Sequence, residues 1–80
     1  MEREELAELF QTYGTDVFRL AFSYLGSQAD AEDVCQTVLL KLMGARTRFE
    51  GPEHEKAWVV RTTANACKDA LRSGFRRLTV

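Results

Sequence analysis

Apolar residues recur every three or four positions along most of the chain, which is the spacing of amphipathic helices. The first such segment covers about residues 4–25. Gly14 interrupts it and predicts a bend or the start of a second helix, because glycine destabilises a helix interior. Gly26 is predicted to end it as a left-handed C-terminal residue. The predicted core stripe of this segment is Leu6, Leu9, Phe10, Tyr13, Val17, Leu20, Ala21 and Tyr24.

Two further helices follow. Ser27 or Asp30 is predicted to cap the second helix, which runs to about Met43, where Gly44 ends it. Pro52 suits the first turn of the third helix, and residues 73–74 (Ser-Gly) are predicted to stop it. We therefore predict an all-α, compact bundle of three to four helices. The predicted core residues are Ala31, Val34, Cys35, Val38 and Leu42 in the second helix, and Ala57, Val60, Ala64, Cys67 and Leu71 in the third.

Length and composition agree with one globular domain over residues 1–80. The chain is 45% hydrophobic and 29% charged, which argues against disorder. No apolar run approaches the roughly 20 residues that span a bilayer, and the N-terminus has no apolar signal core. We expect a cytoplasmic protein without a membrane partner. The two cysteines, Cys35 and Cys67, fit a reducing compartment.

Charge is divided unevenly between the halves of the chain. Residues 1–40 carry two basic and eight acidic side chains, whereas residues 41–80 carry nine basic and four acidic ones. The overall net charge of −1 conceals this asymmetry. It favours two partners of opposite sign, with nucleic acid a candidate for the basic half, or a solvated surface whose charges are sorted by chance.

Two helix faces carry candidate binding residues. In the second helix, Leu40 lies opposite the predicted core and follows Asp33 and Gln36 by two turns and one turn. This arrangement fits a docking strip for another helix, a plain surface, or a face covered by the first helix. In the third helix, a stripe beside the predicted core combines cations, an amide and a flanking aromatic residue, which suits phosphate and base contacts, or a solvated basic face with a core tryptophan. That stripe is Trp58, Arg61, Asn65, Lys68 and Arg72.

Catalytic chemistry is sparse. No glycine-rich phosphate loop, HExxH motif or nucleophile elbow occurs, and we predict no enzyme, no metal and no cofactor. A metal- or thiol-dependent enzyme would require His54, Cys35 and Cys67 to converge.

Three stretches resemble a known family. Residues 30–42 (DAEDVCQTVLLKL) resemble the second helical region of bacterial sigma factors of the extracytoplasmic-function (ECF) type. Residues 49–71 are similar to that family's promoter-reading segment, and residues 13–21 are similar to its opening helix. The three stretches occur in the family's order and spacing, and the resemblance extends over nearly the whole chain.

The resemblance implies two binding surfaces on a region 2 domain. The second helix would dock on the clamp coiled coil of the largest catalytic subunit of RNA polymerase. The loop after it, about residues 46–56, would capture a base flipped from the non-template strand of the minus-ten promoter element, and the third helix would face promoter DNA. The implied polymerase-binding residues are Asp33, Gln36, Thr37 and Leu40, and the implied DNA-binding residues are Arg46, Arg48, Phe49, Trp58, Arg61, Thr62, Asn65, Lys68 and Arg72.

Two positions depart from the family pattern. Thr37 stands where many relatives carry Glu, so one polymerase contact is expected to differ. Val59 stands where housekeeping sigma factors carry a second tryptophan, from which we infer weaker intrinsic promoter melting.

The resemblance leaves two further expectations. An anti-sigma factor is a further candidate partner. The family's minus-thirty-five-reading domain does not follow Val80, so we expect a fragment of a two-domain factor. The alternative function is a protein-interaction bundle that imitates a sigma factor as an antagonist and does not bind DNA.

Overall fold

Helices account for nearly all of the part of the chain that the structure describes. The structure is a computed structural model that describes the backbone of residues 2–45 and 48–79 and the side chains of residues 3–45 and 48–73. Its elements are α1 (Glu2–Leu9), a π-helix (Phe10–Gly14), α2 (Thr15–Leu25), α3 (Gln28–Ala45) and α4 (Pro52–Thr79). No strand occurs among these residues, so the all-α prediction is confirmed.

The π-helix at Phe10–Gly14 joins α1 and α2 without breaking the chain's helical path. A π-helix bonds each residue to the one five positions along, so its turn holds about one residue more than an α-helical turn. One residue corresponds to about 100° of rotation. The π-helix therefore shifts the positions of α2 that face the core by about one residue along the sequence, relative to a continuous α-helix.

The structure corrects part of the predicted core of the first segment. Leu9, Val17 and Ala21 are buried as predicted. Phe10 and Tyr24 were predicted in the core as well, but they are 43% and 40% exposed. In α2, Phe18 and Leu25 pack against the core together with Val17 and Ala21.

The link between α2 and α3 consists of two residues with separate roles. Gly26 has φ 65°, the left-handed conformation predicted for it, and its N–H donates to the Phe22 carbonyl at 2.8 Å. Ser27 then caps α3, since its hydroxyl oxygen accepts the Asp30 N–H at 3.3 Å. Of the two predicted caps, the structure selects Ser27.

Helix α3 lies at the centre of the bundle and packs against α1, α2 and α4. All five core residues predicted for it are buried. Leu39 is also fully buried, which the sequence analysis did not predict. The helix continues past the predicted end at Met43 to Ala45, so Gly44 lies within it.

Helix α4 has a different buried side from the one predicted. Cys67 is buried as predicted, and Ala64 is half-buried. Ala57 is exposed, and Val60 and Leu71 are 50% and 47% exposed, so their assignment to the core was wrong. The buried positions are Val59, Thr63 and Cys67, flanked by the partly buried Trp58, Ala66 and Ala70.

Thr63 is one reason why helical periodicity did not predict the buried side of α4. A threonine at a core position reads as polar, but its hydroxyl donates to the Val59 carbonyl one turn earlier at 2.7 Å. That hydrogen bond satisfies the hydroxyl inside the helix and lets the side chain be buried without an unpaired donor.

The first turn of α4 is fixed from two directions. Pro52 begins the helix as predicted, and the Glu55 N–H donates to the Gly51 carbonyl at 3.0 Å. From the π-helix, the Tyr13 hydroxyl donates to Oε1 of Glu55 at 2.6 Å in a partly buried hydrogen bond. The far end of the helix runs through residues 73–74, the predicted stop, to Thr79. No helix within residues 2–45 and 48–79 combines the length and the apolar character needed to cross a membrane.

Truncating the core of α3 is expected to cost much of the stability. Leu42 is fully buried, and Leu42→Ala should lower the free energy of unfolding by about 2–5 kcal/mol. Leu40→Ala, on the exposed side of the same helix, is the matched control and should change it by less than about 0.5 kcal/mol. Chemical denaturation of both variants measures the difference, and equal stabilities would refute the register of α3.

Two glycines of the α3 region are expected to respond oppositely to alanine. Gly26→Ala places a side chain in the left-handed conformation and should destabilise the fold by about 1–2 kcal/mol. Gly44 is helical and a Cβ there meets nothing within 4 Å, so Gly44→Ala should stabilise it by about 0.5–1 kcal/mol. Thermal unfolding compares the two, and a shift of the same sign in both would contradict the prediction.

Candidate functional site

The exposed side of α3 carries the four residues expected to bind polymerase. Asp33, Gln36, Thr37 and Leu40 are all exposed, and at about 100° per residue they lie opposite the buried side of the helix. Leu40 is 52% exposed, so neither the core nor the first helix covers it. These four residues, here called the docking strip, thus form one accessible surface.

An open groove of about 690 Å³ borders the docking strip on the side of the π-helix. Phe10 and Phe18 line it from the first segment, and Cys35 and Gln36 line it from α3. Gln36 therefore belongs to both surfaces. Sequence periodicity did not reveal this groove because it arises between the first segment and α3.

The exposed side of α4 carries the predicted basic stripe. Arg61, Asn65, Lys68 and Arg72 are all exposed. The stripe was predicted to lie beside the core, but with Val59, Thr63 and Cys67 buried it lies on the opposite side of the helix. We call these four residues the basic stripe. Thr62, predicted to accompany it, is half-buried at its margin.

An aromatic cluster joins the loop before α4 to the first turns of that helix. The Phe49 ring packs edge-to-face on Trp58, with ring centroids 5.5 Å apart, and on His54, with centroids 5.2 Å apart. Phe49 and Trp58 are both half-buried and pack against the core. The two aromatic residues predicted to contact DNA therefore contact each other.

A backbone hydrogen bond also joins the loop to His54 of the cluster. The Glu50 backbone N–H donates to Nδ1 of His54 at 3.2 Å. Arg48 is exposed, and Arg46 lies outside the described residues. Val59, at the position where a second tryptophan would stand, is buried, so Trp58 alone of this pair approaches the surface.

The two cysteines are buried in the core, and Cys35 also lines the groove. Burial raises the pKa of both thiols above its ordinary value, which favours their neutral form. The Cys35 S–H donates to the Gly14 carbonyl at 3.6 Å, a contact between α3 and the π-helix. Among the residues whose side chains are described, no three or more His, Cys, Asp or Glu side chains group as metal ligands.

The exposed sides of α3 and α4 differ in charge. The exposed side of α3 carries Asp33 with Glu32 and Asp30 nearby, whereas the basic stripe carries three cations. Because α3 and α4 pack against each other through their buried sides, the acidic and basic surfaces are presented separately. The fold thus offers one acidic, partly apolar strip and one basic strip that holds a neutral amide.

Two proteins of Bacillus subtilis (strain 168) are similar to this chain. SigV, named an RNA polymerase sigma factor, is 35% identical over 57 residues, which cover 71% of this chain and 34% of SigV. SigX, named an ECF RNA polymerase sigma factor, is 27% identical over 64 residues, or 80% of this chain and 33% of SigX. The chain spans about a third of the length of these relatives. No solved structure matches it significantly.

The family comparison agrees with the order of elements described above. The sequence model of the family described as sigma-70 region 2 matches residues 9–77, which include the π-helix, the docking strip and the basic stripe. With the similarity to SigX, this confirms the predicted resemblance to an ECF sigma factor. The chain belongs to the sigma-70 region 2 family.

Proposed function

We propose that residues 1–80 form one region 2 module of an ECF sigma factor, which acts in transcription initiation and carries no catalytic activity. Such a module works in the cytoplasm, where polymerase and promoter DNA are found. The observation that supports the proposal best is the presentation of two chemically different helix faces by one shared core. One face suits a protein helix, and the other suits a polyanion.

The docking strip is proposed to bind the clamp coiled coil of the largest catalytic subunit of RNA polymerase. Leu40 supplies an exposed apolar contact, while Asp33 and Gln36 supply an acceptor and an amide on the turns before it. An apolar residue framed by polar groups at helical spacing is the pattern with which one helix recognises another. Thr37 adds a neutral hydroxyl to the strip, at the position where many relatives carry Glu.

The basic stripe is proposed to bind the promoter beside the minus-ten element. Arg61, Lys68 and Arg72 would contact phosphates, since their contribution depends on charge and not on base sequence. Asn65 lies among them and adds no charge, but an amide can donate to and accept from one base edge at once. Thr62 would serve as a neutral contact at the margin of the stripe.

The loop before α4 is proposed to receive a base flipped from the non-template strand. Arg46 and Arg48 would supply cations for the phosphates around that base. Phe49 and Trp58 would form an apolar wall for it, because their rings already pack together and stay half-exposed. With Val59 buried, a single tryptophan serves this site, which supports weaker intrinsic melting. An anti-sigma factor would compete for the same surfaces.

Removing polar groups from the docking strip should weaken clamp binding and leave the fold intact. Asp33→Ala and Gln36→Ala should each cost about 2–5 kcal/mol of binding free energy if the contact is buried in the complex, and less at its rim. Calorimetry with an isolated clamp coiled coil measures this cost. Asp69→Ala, an exposed acid on α4, is the matched control and should bind like the wild type. Wild-type affinity in both test variants would rule out the docking assignment.

Two substitutions in the basic stripe should affect DNA binding in different ways. Lys68→Ala should weaken binding to every sequence equally and reduce the salt dependence by about one contact. Asn65→Ala should instead change which base is preferred, with a loss of discrimination of about 1–3 kcal/mol. A panel of single-stranded minus-ten oligonucleotides, each with one base changed, tests both.

The same panel separates the proposed function from its alternative. Parallel affinities of wild type and Asn65→Ala across the panel would mean that Asn65 reads no base. If the wild type binds no oligonucleotide of the panel, the antagonist that imitates a sigma factor becomes the better account. The exposed basic stripe favours the DNA-binding function, because an imitator has no need of it.

A further inference from the structure

We infer that His54 is a positioning residue that holds the loop at residues 48–51 in the shape that receives the flipped base. The inference rests on the proposed function and adds a residue that the sequence analysis considered only as a metal ligand. His54 is exposed in the first turn of α4.

Two contacts of different kinds join His54 to the loop. Its Nδ1 accepts the Glu50 N–H at 3.2 Å, and its ring meets the Phe49 ring edge-to-face at 5.2 Å between centroids. The first contact involves the backbone of the loop, and the second involves the side chain that would line the base site. One imidazole therefore contacts both the backbone of the loop and its aromatic wall.

The turn that carries His54 is itself fixed. The next residue, Glu55, accepts the Tyr13 hydroxyl at 2.6 Å, which ties the first turn of α4 to the π-helix. On the loop side, Phe49 also packs on Trp58 one turn further along α4. His54 thus connects the loop to a turn whose place relative to the bundle is already set.

Such a connection affects binding through preorganisation. A loop that must be ordered when the base enters reduces the observed affinity by the free energy of ordering, whereas a loop already held in place avoids that loss. The effect should therefore appear only for DNA that places a base in the site. It should be absent for a strand that lacks that base.

The test compares His54→Ala with His54→Asn in the 80-residue chain. Asn can place Oδ1 near the position of Nδ1 and so retain the acceptor for the Glu50 N–H. The probes are the tightest-binding minus-ten oligonucleotide from the single-base panel and versions of it with an abasic site at each position in turn. We expect His54→Ala to bind the intact strand about 3- to 10-fold more weakly, the equivalent of one hydrogen bond, and His54→Asn to recover most of that loss. On the strand that is abasic at the captured position, all three proteins should bind equally.

A second measurement needs no DNA. Hydrogen exchange at the Glu50 amide should be faster in His54→Ala than in the wild type and should slow again in His54→Asn. Unchanged exchange in His54→Ala would overturn the inference, as would an equal loss of affinity on intact and abasic strands. If the wild type discriminates among bases and His54→Ala does so equally well, the inference fails while the proposed function stands. If the wild type binds no strand, both fail.

Discussion

The burial of one side of α3 is the constraint on which the other features of this bundle depend. Six of its residues are buried: Ala31, Val34, Cys35, Val38, Leu39 and Leu42. They provide the surface against which the first segment and α4 both pack. A domain of this size has one hydrophobic core. The side of a helix that faces away from that core is therefore accessible to binding partners. The docking strip is that free side, and its register is set by the core residues beneath it.

Helical periodicity located the core of α3 better than that of α4. In α3 every predicted core residue is buried, although Leu39 joins them and the apolar Leu40 is exposed. In α4, Val60 and Leu71 are apolar but exposed, while Thr63 is polar but buried. Periodicity weighs hydrophobicity alone. It cannot recognise that a threonine hydroxyl is satisfied by a carbonyl of its own helix, which is what makes Thr63 a core residue.

The first segment and the candidate site show two other features that helical periodicity does not predict. The sequence signalled an irregularity at Gly14, but not that the helix would continue through it as a π-helix. Among the site residues, exposure of the docking strip and of the basic stripe followed from helical spacing once the helices were recognised. The contacts of Phe49 with His54 and Trp58 did not, because they connect a non-periodic loop to a helix and have no counterpart in a repeat.

The aromatic cluster also gives the protein an intrinsic fluorescent probe. Trp58 is the only tryptophan of the chain, and its half-buried ring lies against Phe49 of the loop. The fluorescence of an indole ring depends on its exposure to solvent and on neighbouring rings. Displacement of the loop would therefore change the emission wavelength and intensity of the unlabelled protein. The bundle core contains no second indole to obscure that signal. Events at the loop can therefore be followed in real time without altering a single residue.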